Sequence, residues 1–265
     1  MDYTKSNTKQ KMKTISFFNR KGGVGKTSIS FLFSRYLANT GHRVLQLDLD
    51  PQRTLTNHFL RLEGIKLSNL QDKTIFEVIL EKIGINEAII KSKHLSVSII
   101  PGSFDLSEIQ SNISNFAIKD ILEPIRNDFD YCICDNAPNW SSLIQSSLFI
   151  SDKIIIPTLC AIEDFEQTQW SLSKTKKVTD AERNILLNQF NGEKISRNDQ
   201  ELLDLFSEVF EGHLLKSSIP NSNLVRRYTL RGENITDAKG KAKFLSHFTS
   251  FVNEIIGKEV KATVF

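Results

Sequence analysis

Short apolar runs alternate with longer amphipathic segments from Lys13 onward, which is the pattern of βαβ units. The runs do not alternate strictly between apolar and polar residues, as expected for strands covered by helices on both faces. The predicted strands are Thr14–Phe18, Val44–Asp48, Ser96–Ile100, Tyr131–Asp135, Lys153–Pro157, Asn184–Asn188 and Leu214–Ile219. The expected fold class is therefore α/β, with a doubly wound, mostly parallel sheet and helices on both faces.

Apolar residues spaced three and four apart predict helices between these strands. One begins at Thr74, because Thr74 and Glu77 have capping-box spacing. The others are predicted at Thr27–Asn39, Asp105–Ser114, Ile118–Arg126, Ser141–Phe149, Glu163–Lys176, Arg197–Glu208 and Ala238–Ile256. The apolar face of the last helix suits packing on the sheet, and membrane binding through this face is the alternative.

The composition places the chain among ordinary globular proteins. Its 265 residues include 34 Lys and Arg against 31 Asp and Glu, and 40% are hydrophobic. No apolar run approaches the roughly 18 residues of a membrane span, and the first residues do not form a signal peptide. We therefore expect a cytoplasmic protein with a flexible leader at residues 1–12 and one domain at residues 13–265, with either Met1 or Met12 as the true start. The buried run Cys132-Ile133-Cys134 predicts core packing rather than a metal site.

A glycine- and lysine-rich segment, NRKGGVGKTS at residues 19–28, lies between the first predicted strand and the first predicted helix. A phosphate-binding loop belongs at this place. Glycines let backbone N–H groups point at phosphate oxygens, and the helix start adds partial positive charge. Lys26 is expected to reach the β- and γ-phosphates, and the Thr27 hydroxyl to coordinate Mg²⁺. The strict pattern G-x-x-x-x-G-K-[ST] fails at Arg20, and Lys21 adds a second lysine.

The sequence K-G-G-V-G-K-T resembles the deviant Walker A motif of the ParA/MinD family of P-loop ATPases. The resemblance implies ATP and Mg²⁺ as cofactors, and it implies that Lys21 crosses a dimer interface to the phosphates of the partner's nucleotide. A charge supplied in trans makes neutralisation of the γ-phosphate depend on dimerisation, as an arginine finger does. Lys21 and Lys26 are thus expected to be catalytic. The expected ATP-binding residues of the loop are Lys21, Gly22, Gly23, Val24, Gly25, Lys26, Thr27 and Ser28.

Two acidic segments follow predicted strands. Asp48 and Asp50 have period-two spacing at a carboxyl end, where ligand sites of α/β proteins lie. The segment resembles the family's D-x-D-P-Q, which implies that Asp50 orients the attacking water and that Asp48 has a supporting place near Mg²⁺. The apolar run before Asp135 is typical of a Walker B strand, whose carboxylate holds hydrated Mg²⁺ opposite Thr27. The expected metal ligands are therefore Thr27, Asp50 and Asp135.

Adenine recognition is less visible. Asn188 ends a predicted strand where relatives place a base-reading residue, and its amide carries both a donor and an acceptor. Pro220 resembles the family's I-P segment beside the base, and Asn221 follows it. An ordinary loop is the alternative at each of these positions.

A basic stretch runs from residue 212 to residue 243, with seven Lys and Arg against two acidic residues, a net charge of +5. Relatives of the ParA type use basic residues in this region to bind nonspecific DNA, and a solvated surface is the alternative. The candidate DNA-binding residues are Lys216, Arg226, Arg227 and Arg231. The chain departs here from many relatives, which carry an E-A pair shortly after the I-P segment, in the neighbourhood that Arg226-Arg227-Tyr228 occupies in this chain.

The resemblance covers residues 13–257 and favours a short ParA-type partition ATPase. It implies an ATP-sandwich homodimer that binds nonspecific double-stranded DNA on the nucleoid. It also implies a ParB-like centromere-binding protein that stimulates hydrolysis. A MinD-like membrane-bound ATPase, which would use residues 244–258, is one alternative. A metabolic or cluster-assembly P-loop enzyme is another.

Overall fold

Eight strands form one sheet in the computed structural model, which describes residues 11–259 apart from 71, 95, 110–112, 193–195 and 232–240. The strands are β1 (Lys13–Phe17), β2 (Val44–Leu49), β3 (Ile90–Lys91), β4 (Ser98–Ile100), β5 (Tyr131–Asn136), β6 (Lys153–Thr158), β7 (Glu182–Asn188) and β8 (Leu214–Ile219). Their order is β3-β4-β2-β5-β1-β6-β7-β8, and only β3 runs antiparallel to its neighbour. All seven predicted strands are present, and the doubly wound α/β class is confirmed.

Helices connect the strands on both faces of the sheet. They are α1 (Lys26–Asn39), α2 (Thr54–Glu63), α3 (Ile75–Ile79), α4 (Ile85–Ala88), α5 (Ala117–Leu122), α6 (Ser142–Phe149), α7 (Ile162–Lys176), α8 (Arg197–Val209), α9 (Asn223–Arg231) and α10 (Lys241–Ile256). Short 3₁₀ turns occupy Leu67–Asn69, Phe104–Glu108 and Glu123–Ile125. The Thr74 side chain caps α3, as predicted, but it accepts the N–H of Phe76 rather than that of Glu77, and its hydroxyl donates to the Glu77 carboxylate.

Two hydrophobic clusters cover the two faces of the sheet. Within β5, Ile133 belongs to one cluster, whereas Cys132 and Cys134 belong to the other. The first cluster includes residues of α1, α2, α9 and α10, and the second includes residues of α3, α5, α6, α7 and α8. Side chains of a strand alternate between faces, so both faces of β5 are buried. The predicted core packing of the two cysteines is confirmed, since both are fully buried.

Two predicted helices differ in the structure. The segment Asp105–Ser114 was expected to be one helix, but only the 3₁₀ turn Phe104–Glu108 forms there, and residues 110–112 lie outside the described part of the chain. Serine side chains that hydrogen-bond to nearby main chain, such as Ser107 to the carbonyl of Phe104 at 2.9 Å, compete with helical bonding. The predicted helix Ile118–Arg126 is divided after Leu122, because Pro124 has no N–H to continue it.

Four helices and strands were not predicted from the sequence: β3, α2, α4 and α9. The 3₁₀ turn Leu67–Asn69 was not predicted either. β3 has two residues, too few to show any periodicity. The helix α10 begins at Lys241, and the predicted start at Ala238 lies outside the described residues.

The C-terminal helix packs on the sheet, as its apolar face predicted. Phe248, Phe251, Val252 and Ile255 are fully buried, and α10 lies against β8. Across the described ranges, no helix is both long enough and apolar enough to span a bilayer.

Candidate functional site

The glycine-rich loop connects β1 to α1 at the carboxyl edge of the sheet. Gly23 and Gly25 have φ angles of 80° and 94°, in the left-handed region that favours glycine. At Gly25 a β-carbon would lie only 2.3 Å from Nδ2 of Asn188. Both the backbone angle and the available space therefore require glycine at position 25.

Asn19 holds the first half of this loop in place, a role that was missed from the sequence. Its side chain is fully buried. Oδ1 accepts the N–H of Lys21 at 3.0 Å, and Nδ2 donates to the carbonyl oxygen of Pro157 at 2.9 Å. Helix α7 contributes Ser171, whose Oγ accepts the N–H of Arg20 at 3.0 Å. The only sign of this role in the sequence is a polar residue directly after an apolar strand.

The ammonium group of Lys26 lies within the loop. Nζ donates a hydrogen bond to the carbonyl oxygen of Lys21 at 3.0 Å, and only 7% of the residue is exposed. Burial lowers the pKa of Lys26, and the charges of Asp135 and Asp50 oppose this effect. A cation held here, among N–H groups at a helix start, is suited to the β- and γ-phosphates of a nucleotide.

Asp135 lies at the end of β5, next to Asp48 of β2 in the sheet register. It is fully buried, and within the described structure neither of its carboxylate oxygens accepts a hydrogen bond. Burial, followed by the charge of Asp48, raises its pKa to about 8, whereas the Thr27 hydroxyl beside it and the charge of Lys26 favour the charged form. A buried carboxylate without hydrogen bonds requires a proton or a cation. Asp135 and Thr27 therefore fit a divalent cation such as Mg²⁺.

The two aspartates after β2 have different surroundings. Oδ2 of Asp48 accepts hydrogen bonds from both the N–H and the hydroxyl of Thr56, at 2.8 and 2.7 Å. Burial raises the pKa of Asp48 to about 6, and these bonds oppose the shift. Asp48 thus ties the start of α2 to the sheet, a role that its sequence position did not indicate. Asp50 is half-buried, and its charge raises the pKa of both Lys26 and Asp135, so it lies within electrostatic range of them.

A pocket of about 460 Å³ adjoins the glycine-rich loop, a volume within the usual range for small-molecule sites. Gly25 and Ser28 line it on the loop side, and Asn188, Pro220 and Asn221 line it on the other. The structure thus brings the predicted adenine residues together beside the predicted phosphate residues. One N–H of the Asn188 amide is already bonded, since Nδ2 donates to the Val24 carbonyl at 2.8 Å. Base recognition by Asn188 stays a prediction.

The basic candidates are divided among several places. Lys216 is exposed on β8, and Arg226 and Arg227 are exposed on α9. Arg226 also lines the 460 Å³ pocket beside Gly25. Arg231 is the last residue of α9, and its side chain lies outside the described part of the structure. The assignment of these residues to DNA stays a prediction.

Comparison with known protein families agrees with the glycine-rich loop in indicating a P-loop ATPase. A family model described as an AAA domain, which represents P-loop ATPases of the ParA/MinD type, matches residues 12–187. The chain belongs to the ParA/MinD-type family of P-loop ATPases. The match contains the loop, Asp50 and Asp135, and it ends just before Asn188.

Relatives of this ParA/MinD-type ATPase include proteins named for plasmids. It is 27% identical over 259 residues to a virulence plasmid ParA family protein of Chlamydia psittaci, covering 93% of this chain and 95% of the relative. Its fold is similar to that of an ATP complex of McdA from Cyanothece, with a TM-score of 0.79 at 19% identity over 95% of this chain and 99% of the other. A putative plasmid partition protein from Borrelia burgdorferi bound to AMPPNP has a TM-score of 0.76 at 19% identity, over 94% of this chain and 99% of the other. The structural likeness shows a shared fold.

Proposed function

We propose that this chain is a ParA-like partition ATPase, in which binding of ATP with Mg²⁺ produces a dimer that binds DNA. The observation that carries the proposal is the contrast between the two lysines of the loop. The ammonium of Lys26 is bonded inside the loop, where it can serve a phosphate of the same chain. Both main-chain groups of Lys21 are hydrogen-bonded, its N–H to Asn19 and its carbonyl to Lys26, and the residue is half-buried. A side chain that is not enclosed, on a backbone held by two hydrogen bonds, suits contact across an interface.

The groups around the loop can be assigned to the steps of ATP hydrolysis. Backbone N–H groups and Lys26 would bind the β- and γ-phosphates. Thr27 and Asp135 would hold Mg²⁺, which supplies neutralisation of phosphate charge when bound. Asp50 is half-buried within electrostatic range of Lys26, and we assign to it the orientation of the attacking water. Lys21 of the second copy would complete the neutralisation, so hydrolysis would require the dimer.

The proposed DNA surface is formed by exposed basic residues of β8 and α9, with Lys216 and Arg227 as its first candidates. Dimerisation doubles the number of phosphate contacts, and each contact adds to the affinity through counterion release. The state of the nucleotide would thereby control DNA affinity. A ParB-like centromere-binding protein would stimulate hydrolysis and release the DNA. The name of the Chlamydia relative supports a plasmid as the cargo.

Membrane attachment through residues 244–258 has less support than DNA binding. The apolar residues that would enter a bilayer, among them Phe244, Phe248 and Phe251, are buried against the rest of the protein. They could reach a membrane only if α10 left the hydrophobic core.

Light scattering of the chain with ADP, ATP and Mg²⁺ tests the proposal. We expect the mass to double with ATP and not with ADP. Lys21→Ala should still bind nucleotide as a monomer, because Lys26 serves the phosphates in cis, but it should lose the ATP-dependent dimer. A normal ATP dimer of Lys21→Ala would show that this lysine does not act in trans. A wild-type chain that stays monomeric with ATP and Mg²⁺ would contradict the proposed function itself.

A further inference from the structure

One face of α9 belongs to the nucleotide pocket. Val225, Arg226 and Thr229 all line the pocket that Gly25 and Ser28 line on the loop side. Their spacing of three and four residues puts them on one side of a helix. Arg227 is not among the lining residues, although it is the direct neighbour of Arg226.

The orientation of this face is set by the packing of α9 on α1 and α2. Tyr228 is buried, and its ring lies 6.1 Å from that of Phe31 in α1. The guanidinium of Arg35, also in α1, lies over the same ring at 4.8 Å. Nη1 of Arg61 in α2 reaches the carbonyl oxygen of Thr229 at 3.5 Å. These contacts hold α9 against α1 and α2, so Arg226 is directed to the pocket by the fold.

The described residues that line the pocket give Arg226 no acidic partner. The residues that line it include no Asp or Glu, and the other ionisable side chain among them is His58. Burial lowers the pKa of His58 to about 4, so its ring is neutral at physiological pH. The walls also carry apolar side chains, Ile29 and Leu32 from α1. A cation beside apolar walls, in a pocket whose described lining has no carboxylate, is suited to a ligand with an electron-rich aromatic face.

We propose that Arg226 is a nucleotide-binding residue whose guanidinium stacks on the purine of the nucleotide bound by the glycine-rich loop; this rests on the nucleotide binding of the proposed function. The guanidinium group is planar and weakly hydrated, and it stacks on aromatic faces. Arg226 is exposed, so the side chain has room to close over a base. This role differs from DNA binding, to which the basic stretch had assigned this arginine together with Arg227.

Calorimetric titration separates a contact with the base from a contact with phosphate. ADP with Mg²⁺ is one probe, because it binds without forming the ATP dimer, and pyrophosphate with Mg²⁺ is the other. Arg226→Ala should weaken ADP binding about 5- to 20-fold, the range of a desolvated cation–π contact. Arg226→Lys keeps the positive charge but lacks the planar guanidinium group, so it should recover only part of the lost ADP affinity. Pyrophosphate affinity should stay within twofold of wild type in both variants.

Arg197→Ala is the matched control, since it removes one arginine from the surface of α8, where the side chain is 91% exposed. It should bind ADP as the wild type does. Wild-type ADP affinity in Arg226→Ala would overturn the inference, and so would an equal loss for ADP and pyrophosphate, which would place the guanidinium on a phosphate. A wild-type chain that binds neither probe would contradict nucleotide binding, and with it the proposed function. Circular dichroism and the urea midpoint of Arg226→Ala and Arg226→Lys check that both are folded.

Discussion

Position 25 offers the most direct test of the loop geometry. Replacing Gly25 with alanine places a β-carbon where the backbone has a φ of 94°, which costs an L-residue about 1–2 kcal/mol. The same β-carbon would lie 2.3 Å from Nδ2 of Asn188, closer than two such atoms can approach. Asn188 must then move and give up its 2.8 Å hydrogen bond to Val24, at a further cost of about 1 kcal/mol.

We therefore expect Gly25→Ala to destabilise the chain by about 2–4 kcal/mol in urea unfolding. ADP affinity should also fall, because the loop that binds the phosphates is displaced. A loss of about 2 kcal/mol of binding free energy corresponds to a fall of about 30-fold. Gly22→Ala is the control for unfolding. Gly22 lies in the same loop, its φ is not in the left-handed region, and nothing lies within 4 Å of an added β-carbon. Its stability should stay within about 0.5 kcal/mol of wild type.

The double variant Gly25→Ala with Asn188→Ala isolates the contact between the two positions. Asn188→Ala alone loses the bond to Val24, and it also removes the atom that the new β-carbon would meet. The double variant should therefore be no less stable than Gly25→Ala alone, with a coupling energy of about 1–3 kcal/mol. Additive losses would refute the close approach of Gly25 and Asn188. Wild-type ADP binding by Gly25→Ala would refute the requirement for glycine.

Three further predictions concern the acids and the basic surface. Asp50→Ala should bind ATP and Mg²⁺ and accumulate as a dimer with little turnover, and wild-type rates of phosphate release would contradict its assignment. The folded-state pKa of Asp135 is raised to about 8, so the free energy of unfolding of the metal-free protein should fall as the pH rises from 4 to 8. Urea titrations at pH 5 and pH 8 measure this fall, and Asp135→Asn should reduce it by on the order of 3 kcal/mol between these two values. Replacing both Lys216 and Arg227 with alanine removes up to four phosphate contacts per dimer, which should flatten the log–log salt slope of duplex binding by about 4 units for all sequences alike; an unchanged slope would move the DNA surface elsewhere.

The positions of residues in local motifs could be predicted from the sequence, whereas their roles stay predictions. Lys26 and Thr27 follow directly from their place after the glycines at a helix start. Asp135 follows from the apolar strand that precedes it. In each case the relevant neighbours lie within a few residues along the chain, or the carboxyl end of a strand determines the position. The register of β2 and β5, which places Asp48 beside Asp135, agrees with this expectation.

Roles that depend on contacts between distant segments could not be predicted. Asn19 bonds to the carbonyl of Pro157, 138 residues away, and Asn188 bonds to Val24, 164 residues away. No periodicity or local motif encodes such a pair, because the partners meet only after β6 and β7 have joined the sheet. The different positions of Arg226 and Arg227, of which only Arg226 lines the pocket, also depend on contacts between distant segments. Side by side in the sequence they look equivalent, and only the packing of α9 directs one of them into the pocket.

The packing of α9 also bears on how ATP would control DNA binding. A ligand shifts an equilibrium only as far as it binds one state more tightly than the other. Tyr228 is buried between α9 and α1, in contact with Phe31 and Arg35, so moving α9 alone would open a close-packed core. Dimerisation avoids this cost, because it doubles the basic surface while each α9 keeps its place. We therefore expect DNA affinity to follow the fraction of dimer, whichever nucleotide or substitution produces that dimer.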